Sequence, residues 1–151
     1  MQREPGLRER ALRLLARREH SRAELARKLG AHCGPEDDLD ALLDDLSRRK
    51  LLSDERYAEA RAHALARKFG AARISHELQA KGLDKGLAER ASTPARTTEV
   101  ERAREVWRRK FGVGPRTREE AARQMRFLRS RGFSFDAIRV VVGGRDDCEA
   151  Q

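Results

Sequence analysis

Apolar residues recur at helical period along most of the chain. Leu7, Ala11, Leu14 and Leu15 fall on one face before Arg18, which predicts a first helix. Ser21-Arg22-Ala23-Glu24 forms a capping box, in which the hydroxyl and the carboxylate are each expected to satisfy a free backbone N–H. Leu25 and Leu29 follow at helical spacing before Gly30, giving a short second helix. Pro35 stands where a first helical turn tolerates proline, and Leu39, Leu42, Leu43 and Leu46 make an i, i+3, i+4, i+7 stripe for the third.

The pattern then restarts. Ser53 caps a long helix whose face carries Ala58, Ala62, Leu65 and Phe69, ending at Gly70. Ile74 and Leu78 mark a short helix closing at Lys81-Gly82, and Leu83, Leu87, Ala88 and Ala91 mark the next. The stretch from Ser92 to Thr98, with Pro94, reads as a loop. Val100, Ala103 and Trp107 carry a seventh helix to Gly112, and Thr117 to Glu120 is a second capping box opening an eighth helix through Leu128. Ser134 caps a ninth, with Phe135, Ile138 and Val142 expected inward, before a polar tail. No segment alternates with the period of a half-buried strand.

Nine helices in threes suggest a repeat, and short signatures support it. Leu15-Ala16-Arg17-Arg18, Leu65-Ala66-Arg67-Lys68 and Trp107-Arg108-Arg109-Lys110 close the first helix of each triplet. Phe69-Gly70 matches Phe111-Gly112, and Lys81-Gly82-Leu83 matches Arg131-Gly132-Phe133. The third copy is longer by about eight residues, placed around Gly112 to Arg118. The expected fold is all-α: three tandem three-helix repeats in an elongated array, with repeats at 7–52, 53–92 and 97–142 between flexible ends at 1–6 and 143–151. Units this small bury little alone, so neighbours are expected to share a core.

Composition sharpens the class of partner. Of 151 residues 39% are charged and the net charge is +9, a basic balance carried by 28 Arg and only 6 Lys, which points to an anionic partner. No apolar run approaches a membrane span, the charged start from Met1 to Arg10 does not resemble a signal peptide, and a cytoplasmic protein is expected. Cys33 and Cys148 belong to no pair or cluster of metal-binding spacing. The chain shows neither a phosphate-binding Gly loop nor a nucleophile with its base, so neither an enzyme nor a cofactor is expected.

Charge is uneven along the chain, with an acidic stretch over residues 31–55 between basic ones. Asp37, Asp38, Asp40, Asp44 and Asp45 read as a solvated face of the third helix, ordered by its macrodipole. The basic pairs Arg17-Arg18, Arg67-Lys68 and Arg109-Lys110 recur once per repeat. Stacked in register they would form a basic track, to which the second-helix cations Arg73, Lys81, Arg126, Arg129 and Arg131 add. Each member of the three pairs also suits the C-terminus of its own helix. Aromatic residues are only 5% and mostly at core positions, which disfavours base stacking. A helix-turn-helix docking of the first unit would press an acidic helix onto phosphates.

Four segments carry a resemblance. Arg17-Arg18-Glu19-His20-Ser21-Arg22-Ala23-Glu24-Leu25 with Lys28-Leu29, Leu51-Leu52-Ser53-Asp54-Glu55-Arg56-Tyr57-Ala58, Glu77-Leu78-Gln79-Ala80-Lys81-Gly82-Leu83 and Phe127-Leu128-Arg129-Ser130-Arg131-Gly132-Phe133 together resemble the bacterial RecX regulatory family, over residues 7 to 142. The chain departs from the family in the loop Ala31 to Pro35 and at Ala71, where the family often has proline. The resemblance implies a regulator of the RecA recombinase. Such a protein lies in the groove of the RecA filament on single-stranded DNA, limits its growth, and inhibits ATP hydrolysis, strand exchange and co-protease activity, so modulating DNA repair and the SOS response. It brings no catalytic residues. A monomer with RecA as partner and DNA, single- or double-stranded, as a possible direct contact is the expectation. A general helix-turn-helix DNA-binding protein and a helical scaffold are the alternatives.

Overall fold

The computed structural model describes residues 3–143. Among them nine helices follow one another with no strand: α1 (Leu7–Arg17), α2 (Arg22–Gly30), α3 (Leu39–Arg48), α4 (Asp54–Leu65), α5 (Ala71–Ala80), α6 (Lys85–Thr97), α7 (Glu99–Lys110), α8 (Arg118–Ser130) and α9 (Phe135–Gly143). Most starts are set by a side-chain oxygen that accepts the N–H three residues on, a donor the helix itself leaves unpaired. Ser21, Asp38, Ser53, Asp84, Thr117 and Ser134 do this at 3.0–3.2 Å. The tail after Gly143, with Cys148, and Met1 and Gln2 lie outside the described residues.

Several expectations are corrected. Pro35 precedes α3, whose cap is Asp38, and the segment between is tied by the Gly34 N–H to the Asp37 carboxylate at 2.7 Å. Gly70 does not end the first helix of repeat 2. That helix stops at Leu65, Phe69 lies in the turn that follows, and Gly70 is the N-cap of α5. The span from Ser92 to Thr97 is helical, not a loop, although Pro94 removes one N–H from α6. Burial holds it: Ser92 and Ala95 are buried, and the Ser92 hydroxyl donates to the Ala88 carbonyl at 2.7 Å. Phe135 is 55% exposed, not inward; Ile138 is buried as expected, and Ala137 is buried beside it. In neither capping box does the Glu close on the cap residue. Glu24 turns to cations, and Glu120 accepts the N–H of Arg116 at 2.7 Å, one residue before the cap Thr117.

The helices do not share a core. Ala11, Leu25, Leu29, Leu43, Leu46 and Leu52 form one cluster within the first triplet. Tyr57, Ala58, Ala62, Leu65, Ile74, Leu78, Leu83 and Ala88 belong to a second, and Ala103, Leu128, Phe133 and Ile138 form a third. Each triplet closes on itself, and polar seams join them. The accessible surface of 10812 Å² exceeds the roughly 7,800 Å² of a compact monomer of this mass, as expected of an elongated array.

The repeat is visible in the turns. Gly82 and Gly132 leave α5 and α8, the second helices of repeats 2 and 3, with φ of 87° and 85°; α2, their counterpart in repeat 1, ends at Ala31 with φ of −66°, and the left-handed residue of that repeat is Lys50 after α3, with φ of 60°. The extra residues of repeat 3 are shared. Five lengthen the connection after Gly112, and three lengthen α8, which has 13 residues against 10 in α5. Gln124 pins that connection, donating to the Val113 carbonyl at 3.1 Å and accepting from the Trp107 indole at 2.8 Å.

Candidate partner interface

The seams position the cations. Between repeats 1 and 2, the Arg22 N–H donates to Asp54 at 2.7 Å, and Arg56 donates to Glu19 and to the Lys50 carbonyl, both at 2.8 Å. Between repeats 2 and 3 the contact is tighter. The Gly70 N–H donates to the Arg131 carbonyl at 2.8 Å, Arg73 to the Ser130 carbonyl at 2.8 Å, and the Ala71 N–H to the buried Glu99 at 3.0 Å. Arg102 reaches from α7 to the carbonyls of Ala66 at 2.8 Å and Phe69 at 2.5 Å, and to that of Ala95. One guanidinium so caps the ends of α4 and α6 together, where helix dipoles favour a cation. Burial pulls its pKa below the ordinary arginine value, yet it remains a cation.

Three cavities open along the array. The largest, about 810 Å³, lies between α4, α6 and α7, with a floor of Ala62, Ala66, Ala91, Pro94 and Ala95 and a rim that includes Arg67, Arg109, Glu59 and Glu105. A second, about 420 Å³, lies on the seam of repeats 1 and 2 and is lined by Arg18, Arg27, Lys28, Arg61 and Lys81 with Glu19 and Glu24. A third, about 340 Å³, is lined by Arg10, Arg13, Arg17, Lys28 and His32 and no carboxylate.

The structure divides the candidate cations by role. Arg67 and Arg109 share the large groove, with Arg109 also 3.2 Å from Glu105, and Lys68 is exposed in the same turn as Arg67. Arg18 and Lys81 meet in the second groove, and Arg17 lines the third. Arg73 and Arg131 sit on the seam of repeats 2 and 3, both over the ring of Phe69. Arg73 stacks on Phe69 at 4.5 Å, while Arg131 lies over Phe69 at 5.6 Å and over Phe127 at 5.1 Å. Lys110 lies over the Phe127 ring at 5.5 Å. Arg126 and Arg129 are exposed on α8.

A buried charge cluster underlies the second groove. Glu24, only 8% exposed, takes Lys28 at 3.3 Å and Arg18 at shorter range. Burial pushes its carboxyl up, but the bonds from Arg18 and Lys28 outweigh that and hold it below the ordinary range. His20 is 1% exposed, and burial pulls its pKa down, against the bond to the Arg18 carbonyl at 3.0 Å. Lys28 has only protons to give, so the His20 Nε2 at 3.1 Å is the acceptor and Nδ1 the donor, which describes a neutral ring. His20, Glu24 and Lys28 are spaced four apart; that spacing was the available sequence signal for this cluster. Arg102 offered none, because its partners are distant carbonyls.

The acids of α3 are engaged internally. Asp45 meets Arg8 at 2.6 Å and Arg49 at 3.0 Å, and Asp44 meets Arg22 at 2.7 Å. The Arg8 bond is the main reason that the Asp45 carboxyl lies below its usual range. This face clamps α1 and α2 to α3. Among the described residues no group of His, Cys, Asp and Glu is placed to hold a metal ion, and no helix is long and apolar enough to cross a membrane.

Comparison with known proteins agrees with the geometry. Models of the first, second and third three-helix domains of RecX match residues 8–46, 53–91 and 97–142, in that order. The chain is 54% identical over 137 residues to the regulatory protein RecX of Leptothrix cholodnii, covering 91% of this chain and 87% of that one. It is 43% identical to that of Herminiimonas arsenicoxydans over 95% of both. The fold superposes on the crystal structure of RecX from Lactobacillus salivarius with a TM-score of 0.77 at 23% identity, covering 93% of this chain and 94% of that one. Three repeats in family order, on a shared fold and with this level of identity, establish that the chain belongs to the RecX family of regulatory proteins.

Proposed function

We propose that the protein is a non-enzymatic regulator that binds the RecA filament on single-stranded DNA as a monomer. There it slows ATP hydrolysis, strand exchange and co-protease activity, and so tempers DNA repair and the SOS response in the cytoplasm. The observation that carries this reading is the ordered match of all three domains to RecX, on an array whose grooves are rimmed by cations. An elongated body with charge at intervals suits a polymeric partner better than a compact one, because successive weak contacts combine along its length. Arg67 and Arg109, which line one groove, and their chain neighbours Lys68 and Lys110 are its proposed contacts with the filament.

The test is DNA-dependent ATP hydrolysis by RecA with this protein titrated in. Slowing at less than one molecule per RecA subunit is expected, since a block on filament extension affects every later addition. Inhibition that disappears when DNA is in excess would mean that the protein merely sequesters DNA, and no inhibition would overturn the reading.

A further inference from the structure

Three basic side chains converge on one buried oxygen of Glu24. Its Oε1 accepts from Arg18 and from Lys28 at 3.3 Å, and the His20 Nε2 stands 3.6 Å away. The same Nε2 lies 3.1 Å from the Lys28 Nζ. With His20 neutral the arrangement is consistent, because the ring offers Lys28 an acceptor. A proton on Nε2 makes it inconsistent. Imidazolium and ammonium would then face each other with only donors between them, and a single oxygen would have three cations to hold. One of the three has to leave. Arg18 is kept by a second bond to Glu24, at Oε2 and 3.3 Å, and by one to the Glu19 carbonyl at 3.0 Å. His20 is buried, with its ring fixed on the Arg18 carbonyl at 3.0 Å. Lys28 has neither restraint. Its side chain is 35% exposed on a flexible stem, and it lines both the second and the third cavity.

We propose that His20 and Lys28 exchange places on Glu24 when the protein takes up one proton. The imidazolium then replaces the ammonium on Oε1, and Lys28 swings out into the two cavities that it lines. Repeat 1 keeps its fold, and the added charge emerges at the surface rather than at the buried ring that binds the proton. The other groups facing the cluster do not change charge with it. Arg18 at the end of α1, Arg27 on α2, Arg61 on α4 and Lys81 after α5 are cations, and Glu19 is held by Arg56. Burial pushes the Tyr57 phenol up, so it is neutral, and Glu24 is held below the ordinary carboxylate range, so it stays ionised. Burial, with Arg18 and Lys28 beside it, holds His20 below the ordinary imidazole value, and the exchange therefore runs on acidification. The cluster is a proton-driven switch of surface charge at the joint of repeats 1 and 2. At neutral pH Lys28 is occupied internally, and in acid it is presented to whatever lies in the cavities.

The test follows the full chain by NMR between about pH 7.5 and 5, in a His32→Gln background that removes the other imidazole lining a cavity with Lys28. The ring nitrogens of His20 report its proton, and carbon relaxation at the Lys28 Cε reports that side chain's mobility. Lys28 should be rigid at the upper limit and become mobile with the same midpoint at which the His20 Nε2 gains its proton. Adding Lys28→Met should raise that midpoint, since a cation 3.1 Å from the ring is gone. Adding His20→Gln instead should leave Lys28 mobility independent of pH. A Lys28 side chain that stays rigid while His20 titrates, or that is already mobile at the upper limit, would overturn the proposal. So would a His20 midpoint unmoved or lowered by Lys28→Met. Loss of the α2 amide signals at the His20 midpoint would also overturn it, because repeat 1 would then be unfolding rather than exchanging partners within its fold.

Discussion

Gly70 and Gly132 meet backbone to backbone where repeats 2 and 3 join: a Cβ on Gly70 would lie 2.3 Å from the Gly132 carbonyl oxygen. Beside this contact, the Gly70 N–H donates to the Arg131 carbonyl at 2.8 Å. Gly70→Ala cannot be absorbed by rotating a side chain, because the opposing atoms are backbone. The substitution should separate the two repeats or strain the turn, at a cost of about 1–3 kcal/mol, read as a lower urea midpoint. Gly30→Ala is the control, since nothing lies within 4 Å of its added methyl. Equal midpoints would show that the seam yields freely.

Arg102 should be the most consequential cation for stability, although it belongs to no basic run. Arg102→Leu removes donors from three carbonyls at the ends of α4 and α6, and about 2–4 kcal/mol should be lost. Arg102→Lys should recover only a part, since a point ammonium cannot reach three acceptors in fork geometry. Chemical denaturation of both variants checks this, and full rescue by Lys would contradict the forked cap.

Repeat 1 should weaken on mild acidification. His20 is held neutral in the fold with its pKa lowered, so the unfolded chain binds the proton first and stability falls as pH drops below about 6.5. Glu24 also has a lowered folded pKa, and its contribution is present above its unfolded value and lost below about pH 4.5. The two windows open at different pH. His20→Gln should flatten the urea midpoint as pH falls from about 6.5 and leave the Glu24 contribution in place. An unchanged slope in the upper window would show that His20 is not the group responsible.

The groove at the second seam gives a test of the filament contact. Replacing Arg67, Lys68, Arg109 and Lys110 by Glu should raise the concentration needed to inhibit RecA by at least about tenfold, since each change removes an attraction and adds a repulsion. Asp37, Asp38 and Asp40 to Asn, on the acidic face, should leave inhibition intact or strengthen it. Inhibition by the folded quadruple variant at wild-type concentrations would move the contact to another face.

The parts of the fold legible in the sequence were those set by local chemistry. Ser21, Ser53, Thr117 and Ser134 begin helices because a side chain within three residues satisfies the free N–H, and such a bond needs no distant partner. Pro94 misled for the converse reason. Its local cost is real, but Ser92 and Ala95 are buried, and that tertiary burial keeps α6 helical. The candidate interface was legible only as charge. The spacing of Arg73 and Arg131 cannot reveal that both engage the ring of Phe69, nor that Arg18 faces a buried carboxylate from across a turn. Arg27 and Arg61 escaped notice because only the packing of repeat 1 against repeat 2 brings them together.

Because each triplet keeps its own core, bending the array does not require any core to open. The two joints differ mechanically. One is fastened by a main-chain bond, two glycines in contact and a guanidinium across three carbonyls, and behaves as a weld. The other rests mainly on the Arg56 ion pair and the Arg22–Asp54 bond, and is the compliant one. Repeats 2 and 3 are therefore expected to move together, with bending concentrated at the joint of repeats 1 and 2. A molecule built this way can match its pitch to a helical polymer by adjusting one angle.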